Sequence, residues 1–201
     1  VVHCSGATEV AVLDPARHAG ALTGGFHPMQ TFTDPAAALA SLPGCAVGIE
    51  AADGTLAGAL EALAVSLGCR PIRVPAGYRA RYHAAGGYAS QFVNVLLREA
   101  ALIWKSFGVD EADAVRALLP LLRGTLAAIE NAGLAQGMPG PVSRGDTGTV
   151  SRHVEDLGRM DADTLALYQE LARRSITLAL ERGSIDPAKA AELHRLLAGN
   201  A

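Results

Sequence analysis

Apolar and polar positions change rhythm once along the chain, near residue 75. Before it, short runs rich in Val, Ile, Ala and Gly at residues 1–4, 21–26, 46–50 and 71–74 read as strands bounded by turn residues. Between them the spacing predicts two helices, the clearer over residues 56–67, where apolar positions recur at helical intervals until Gly68 stops them. Alternating strands and helices are the pattern of an α/β layer. Three or four strands with two helices make only part of a doubly wound domain.

After Pro75-Ala76-Gly77 the period becomes helical throughout, predicting helices over 79–107, 110–131, 149–157, 161–182 and 186–197. The ends are well signalled. Gly108 and Gly183 stand where helices close, Asp110 and Asp161 are N-cap candidates, and Asp186-Pro187 sets a cap before a proline at the first helical position. Pro120 falls inside the second of these helices and is expected to kink it. The expected organisation is thus α/β plus all-α, with an α/β part over 1–75 and a helical part over 76–201.

Composition narrows the class. The chain has 201 residues, half of them apolar, with 18% charged residues and a net charge of −3. This is a globular composition without the basic footprint of a nucleic-acid binder. The longest apolar stretch, residues 93–104, is interrupted by Asn94, Arg98 and Glu99, which argues against a membrane span. Cys4, Cys45 and Cys69 are far apart, odd in number and in no CxxC pair, the pattern of reduced buried thiols in a cytoplasmic protein. The chain opens at Val1 within an apolar run, as the middle of a strand would.

Three segments carry candidate chemistry. Gly25-Phe26-His27-Pro28-Met29-Gln30-Thr31-Phe32 places an imidazole at a strand end, where open α/β sheets bind ligands, although His-Pro is also an ordinary way to leave a strand. On the helix expected from residue 79, Ala84, Ala85, Gly86, Gly87, Ala89 and Ser90 are small, and His83, Ser90, Gln91 and Asn94 are the polar exceptions that one helical face can aim into a cleft. The same groups can equally bond to nearby backbone. Finally, Gly140 to Val150 is rich in glycine and hydroxyl residues and leads into a helix. Asp146 or Thr147 can cap that helix, and its free N–H groups with Arg144 would seat a carboxylate or phosphate, unless Arg144 and Asp146 simply pair to hold the loop. No Walker loop, nucleophile elbow or GxGxxG is present.

Together, VVHCSGA (residues 1–7), GGFHPMQTF (24–32), YHAAGGYASQFVNVL (82–96) and GPVSRGDTGTVSRH (140–153) resemble one family: Rossmann-like proteins whose C-terminal half is a domain of unknown function, family 2520. These are similar to dehydrogenases that join an NADP-binding Rossmann domain to a helical domain of the 6-phosphogluconate dehydrogenase C-terminal kind, among them pyrroline-carboxylate reductase, ketopantoate reductase and prephenate dehydrogenase. The resemblance implies an NAD(P) cofactor, a small carboxylate-bearing keto, hydroxy or imino substrate in a cleft between the two parts, and a homodimer built by the helical part. It places Ser5, Gly6, His27, Pro28 and Met29 on the cofactor side, His27 and His83 as acid/base candidates, and Ser90, Asn94, Arg144, Asp146 and Thr149 around the substrate. Many relatives carry Ser-Asn where this chain has Ser90-Gln91.

One departure is large. The strand, GxGxxG turn and helix that open the family's Rossmann domain have no counterpart here, so this chain alone is expected to hold a dinucleotide weakly, as a fragment or as a protein that has lost cofactor chemistry. Three function classes follow: an NAD(P)-dependent oxidoreductase, a ligand-binding or regulatory module of the same shape without redox turnover, and a purely structural dimerisation domain.

Overall fold

The computed structural model describes every residue except Thr33 and residues 199–201. It comprises two compact units, Val1–Val95 and Leu96–Ala201.

The first unit carries one sheet in the order β1 (Val2–His3), β2 (Gly24–Pro28), β3 (Ala46–Ala51) and β4 (Arg70–Arg73). β1 is parallel to β2 and β3 to β4, while β2 and β3 are antiparallel. The helices of this unit are α1 (Asp14–His18), α2 (Pro35–Ser41), α3 (Gly54–Ser66) and α4 (Arg79–Ala89). Asp53 starts α3 by accepting the Leu56 N–H at 2.9 Å, and Gly68, at a φ of 72°, lets the chain turn back into β4.

Side chains alternate across a strand, so each strand serves two faces. On one face Phe26, Val47 and Ile49 meet Leu60 and Ala64 of α3 and Cys69 to form the apolar core of this unit. The opposite face of β2 and β3 presents Gly25, His27, Gly48 and Glu50, with Gly25 opposite Glu50 and His27 opposite Gly48 in the register. α4 covers it with long polar side chains. A Cβ on Gly25 would stand 2.6 Å from Arg79 Nη1, and one on Gly48 2.5 Å from Tyr82 Cζ. Glycine is required at both positions for close approach, not for a turn.

Arg79 is fully buried. Its Nη1 lies 3.6 Å from Glu50 Oε2 and its Nη2 donates to the carbonyl of Ser5. The Glu9 carboxylate accepts the backbone N–H groups of Gly77 at 2.9 Å and Arg79 at 3.2 Å, a distant substitute for the N-cap that Tyr78 does not supply. Burial pushes the Glu50 carboxyl above its ordinary pKa, helped by the charge of Glu9 and opposed by Arg79.

α5 (Gln91–Lys105) leads into the second unit, which holds α6 (Glu111–Gly137), α7 (Thr147–Met160), α8 (Ala162–Arg182) and α9 (Pro187–Leu197). Val142, Val150, Ala172, Ile176, Ala190, Leu193 and Leu197 form its core. Asp110, Asp146, Asp161 and Asp186 each accept a backbone N–H three residues on, at 2.7–2.9 Å, and so start α6 to α9.

The α/β plus all-α class expected from the sequence is the observed one, and four of its expectations change in detail. The helix expected over 79–107 is two helices, because Ser90 leaves helical geometry at φ −129° and ψ −87°. In α6 the non-helical backbone lies at Gly133, not at Pro120. The first compact unit runs past residue 75 to Val95, since Arg79 and Tyr82 tie α4 into the sheet. Of the thiols, Cys69 is buried, Cys45 partly so and Cys4 exposed.

Removing one member of a buried ion pair leaves an uncompensated charge. Arg79→Ala is therefore expected to lower the unfolding free energy by about 3–5 kcal/mol, measured by urea denaturation with far-ultraviolet circular dichroism. A loss below about 1 kcal/mol, the range of exposed pairs, would contradict the role given to Arg79.

Candidate functional site

The site grows from the α4 face of the sheet. His27, next to last in β2, lies beside the Tyr82 hydroxyl, which takes part in three hydrogen bonds. The Gly48 N–H donates to it at 3.1 Å, it donates to the His27 carbonyl at 3.0 Å, and His27 Nδ1 lies 3.2 Å away. A phenol has one proton to give. All three bonds are made together only when that proton goes to the carbonyl and His27 Nδ1 carries its own, leaving Nε2 as the unprotonated ring nitrogen.

That nitrogen meets backbone. A Cβ on Gly6 would stand 2.8 Å from His27 Nε2 and would press on the ring of His83 as well. Gly6, buried just beyond β1, thus lets the chain lie against both imidazoles, whose centroids are 5.8 Å apart. His83 is exposed, and it belongs to α4 together with Arg79 and Tyr82. From this pair a cavity of about 760 Å³ opens, lined by Met29, Gln30, Thr31, Gly86, Gly87, Tyr88, Ser90, Gln91 and Phe92. Gly86 fits against Met29 Sδ, where a Cβ would collide.

The electrostatics keep His27 uncharged. Burial lowers its pKa below the ordinary 6.5, and the charges of His83 and then Arg79 lower it further. His3, whose Nδ1 accepts the Ser5 N–H at 3.2 Å, is lowered in the same way by burial and by Arg79. Burial raises the Tyr82 phenol, so it remains a hydrogen-bond donor at neutral pH.

Of the residues picked from the sequence, Gly6, His27, Met29, His83 and Ser90 converge here. Ser5 stands behind them, its carbonyl on Arg79 and its hydroxyl 2.7 Å from that of Thr8. Pro28 pairs with Val47 inside the sheet and does not line the cavity. Ser90 spends its hydroxyl on the Gly86 carbonyl at 2.7 Å, and Asn94 Nδ2 donates to the Ser90 carbonyl at 3.3 Å. The break at Ser90 invalidates a single helical wheel through His83 and Asn94, and it is Gln91 that reaches the cavity. Tyr82 and Arg79, which hold the site together, were not singled out. Their signal was the pairing of two α4 side chains three residues apart with one glycine on β2 and one on β3, two register positions apart, which only a known register reveals.

Arg144, Asp146 and Thr149 lie in the second unit. Asp146 caps α7, accepting the Thr149 N–H at 2.9 Å and its hydroxyl at 2.7 Å, contacts that hold its carboxyl below the usual range. Thr149 Oγ1 also accepts from Arg152 at 2.9 Å, and Arg144 is exposed. Among the described residues, no three His, Cys, Asp or Glu side chains converge as a metal site.

A family model for the domain of unknown function DUF2520 matches residues 45–175, more than half of the chain. The chain belongs to the DUF2520 family. No functionally curated protein matches it. Among solved structures, this DUF2520 chain is similar to protein TM1727 from Thermotoga maritima, with a TM-score of 0.77 at 22% identity over 90% of this chain and 69% of that one. It is also similar to the "putative NADP oxidoreductase BF3122" of Bacteroides fragilis, with a TM-score of 0.67 at 24% identity over 88% of this chain and 64% of that one. At these identities the likeness is one of fold, here a mixed α/β fold. No helix among the described residues is long and apolar enough to cross a membrane.

Because the folded state disfavours the imidazolium, the unfolded chain binds that proton more tightly. The stability contribution of His27 is therefore intact above pH 6.5 and is lost as pH falls below it. The His27 midpoint, followed by ring-proton NMR, is expected below 6.5, and His83→Asn should raise it part of the way, since burial remains. A midpoint above 6.5, or one unmoved by the substitution, would contradict this electrostatic account.

Proposed function

We propose that this DUF2520 chain carries the reacting end of an NAD(P)-dependent oxidoreductase, with His27 as its general acid/base. The observation that carries the reading is a neutral imidazole with one nitrogen tied to a half-buried phenol and the other beside a glycine at the mouth of a cavity. Reduction of a carbonyl or imine needs a proton at the oxygen or nitrogen, and its reverse needs one removed. The neutral His27 Nε2 takes up the proton in the oxidative direction; in the reductive direction it gives one that it has first accepted, which burial, His83 and Arg79 confine to lower pH, while Tyr82 fixes the ring plane. The solved structure from Bacteroides fragilis, by its name, supports the class.

The fit to a dinucleotide is partial. Gly6 leaves backbone against both imidazoles and the cavity beside Met29 is open, which suits a flat ring. When bound, NAD(P) would supply or accept the hydride. Gly6, His27 and Met29 would face its nicotinamide, with Ser5 behind them on Arg79. The turn into α3 offers the pyrophosphate no cradle: it is closed by the Asp53 carboxylate, whose charge disfavours an anion at that helix start. No step of the reading passes through that end of the cofactor.

The substrate reading is a small keto, hydroxy or imino acid. Met29, Gly86 and Phe92 offer it an apolar wall, and Gln30, Gln91 and Thr31 offer hydrogen bonds.

Protein expressed from its whole gene is expected to quench or shift NADPH fluorescence on titration and to oxidise NADPH with at least one member of a panel of 2-oxo and imino acids. His27→Gln keeps the size but cannot carry the proton, and should lower kcat by about 10²–10⁴-fold. In this direction His27 acts as the imidazolium, so kcat/KM should fall as pH rises through a midpoint below 6.5, and that midpoint should move upward in His83→Asn. Absence of NADPH binding contradicts the oxidoreductase reading and favours a ligand-binding module. Turnover unaffected by His27→Gln contradicts the acid/base assignment alone.

A further inference from the structure

We propose that Cys45 and Cys69 are a modification site: a thiol pair that closes to an intramolecular disulfide under a peroxide oxidant. The two sulfurs lie 3.7 Å apart, already at contact. The backbone explains why. β3 and β4 are parallel with Ala46 opposite Arg70, and the ladder continues one residue earlier, where the Arg70 N–H donates to the Cys45 carbonyl at 2.8 Å. Cys45 and Cys69 are thus lateral neighbours whose side chains leave the sheet on the same side. Parallel strands stand about 4.8 Å apart, within the 4.4–6.8 Å between Cα atoms that a disulfide spans.

The flanking chain allows the small closure required. Each cysteine follows a glycine in the left-handed region, Gly44 at φ 86° and Gly68 at φ 72°, and the Gly44 N–H donates to the Gly68 carbonyl at 2.7 Å. The same Gly-Cys doublet therefore opens two adjacent parallel strands. Neither sulfur has a strong competing partner: Cys69 Sγ makes long contacts to the carbonyls of Leu42 at 3.3 Å and Leu67 at 3.7 Å.

The chemistry balances with hydrogen peroxide as oxidant. One thiol sulfur attacks a peroxide oxygen, breaking the O–O bond and giving a sulfenic acid and water. The second thiol sulfur then displaces the sulfenic oxygen, which leaves as water with the thiol proton. The pair loses two electrons and two protons, and the peroxide is reduced to two waters. Burial pushes the Cys45 thiol up to about 11, so the attacking thiolate is scarce at neutral pH and the bond forms slowly, under sustained rather than transient peroxide.

The test uses the whole protein carrying Cys4→Ser, which removes the exposed thiol. After peroxide treatment and alkylation, cleavage at glutamate cuts at Glu50 and Glu61, between the two cysteines; cleavage at Lys and Arg would leave them on one peptide. The expected product is a linked peptide pair two hydrogen masses below the sum, released by dithiothreitol and absent in Cys45→Ser and Cys69→Ser. The oxidised protein should also melt roughly 5 °C or more above the reduced one, since the bond closes a loop between residues 24 apart. The proposal is overturned if both thiols are still alkylated singly under peroxide that oxidises Cys4 in the unmodified protein. It is equally overturned if they are recovered as separate sulfinic or sulfonic acids.

Discussion

The buried guanidinium of Arg79 is the contact on which the first unit depends. It reaches through a sheet face stripped of side chains at Gly25, pairs with Glu50 and holds the carbonyl of Ser5. A buried charge of this kind contributes little net stability over a well-packed apolar residue, but it cannot be left half-paired. Its position therefore fixes α4, β2, β3 and the segment after β1 relative to one another. Everything at the candidate site inherits that placement: Tyr82 and His83 one turn further along α4, His27 on β2, and Gly6 next to the Ser5 carbonyl that Arg79 grips.

The chemistry of the site follows from the same arrangement. A positive charge under the sheet, a second imidazole beside it and burial all act against protonating His27. A phenol with no proton to spare then decides which ring nitrogen is free. Such a group suits proton transfer at a reacting carbonyl or imine, the use proposed for it above. The second unit solves a different problem, using four aspartate caps and an apolar seam to set its helices.

Much of this was legible in the sequence where one residue type has one physical use. Asp-led helix starts, Gly68 and Gly183 as stops, and the change from strand to helix rhythm all appear as expected. That His27, His83 and Gly6 lie together was legible because motif order points to all three. Arg79 was not, because a basic residue at the start of a helix ordinarily faces water, and only the register of β2 against β3 shows the glycines beneath it. Ser90 misled in the opposite sense: its neighbours suit a helix, and the break comes from its backbone geometry, with its hydroxyl on the Gly86 carbonyl. Cys45 and Cys69 looked unrelated at 24 residues apart, and pairing of β3 with β4 makes them neighbours.

The central claim is that Tyr82 sets the state of His27. Nitrogen-15 NMR of the imidazole above its midpoint reads this directly. The account predicts a proton on Nδ1 and an unprotonated Nε2, with Tyr82→Phe returning the ring toward the tautomer mixture of a free histidine. A proton on Nε2 in the unmodified protein, or a tautomer unchanged by Tyr82→Phe, would contradict it.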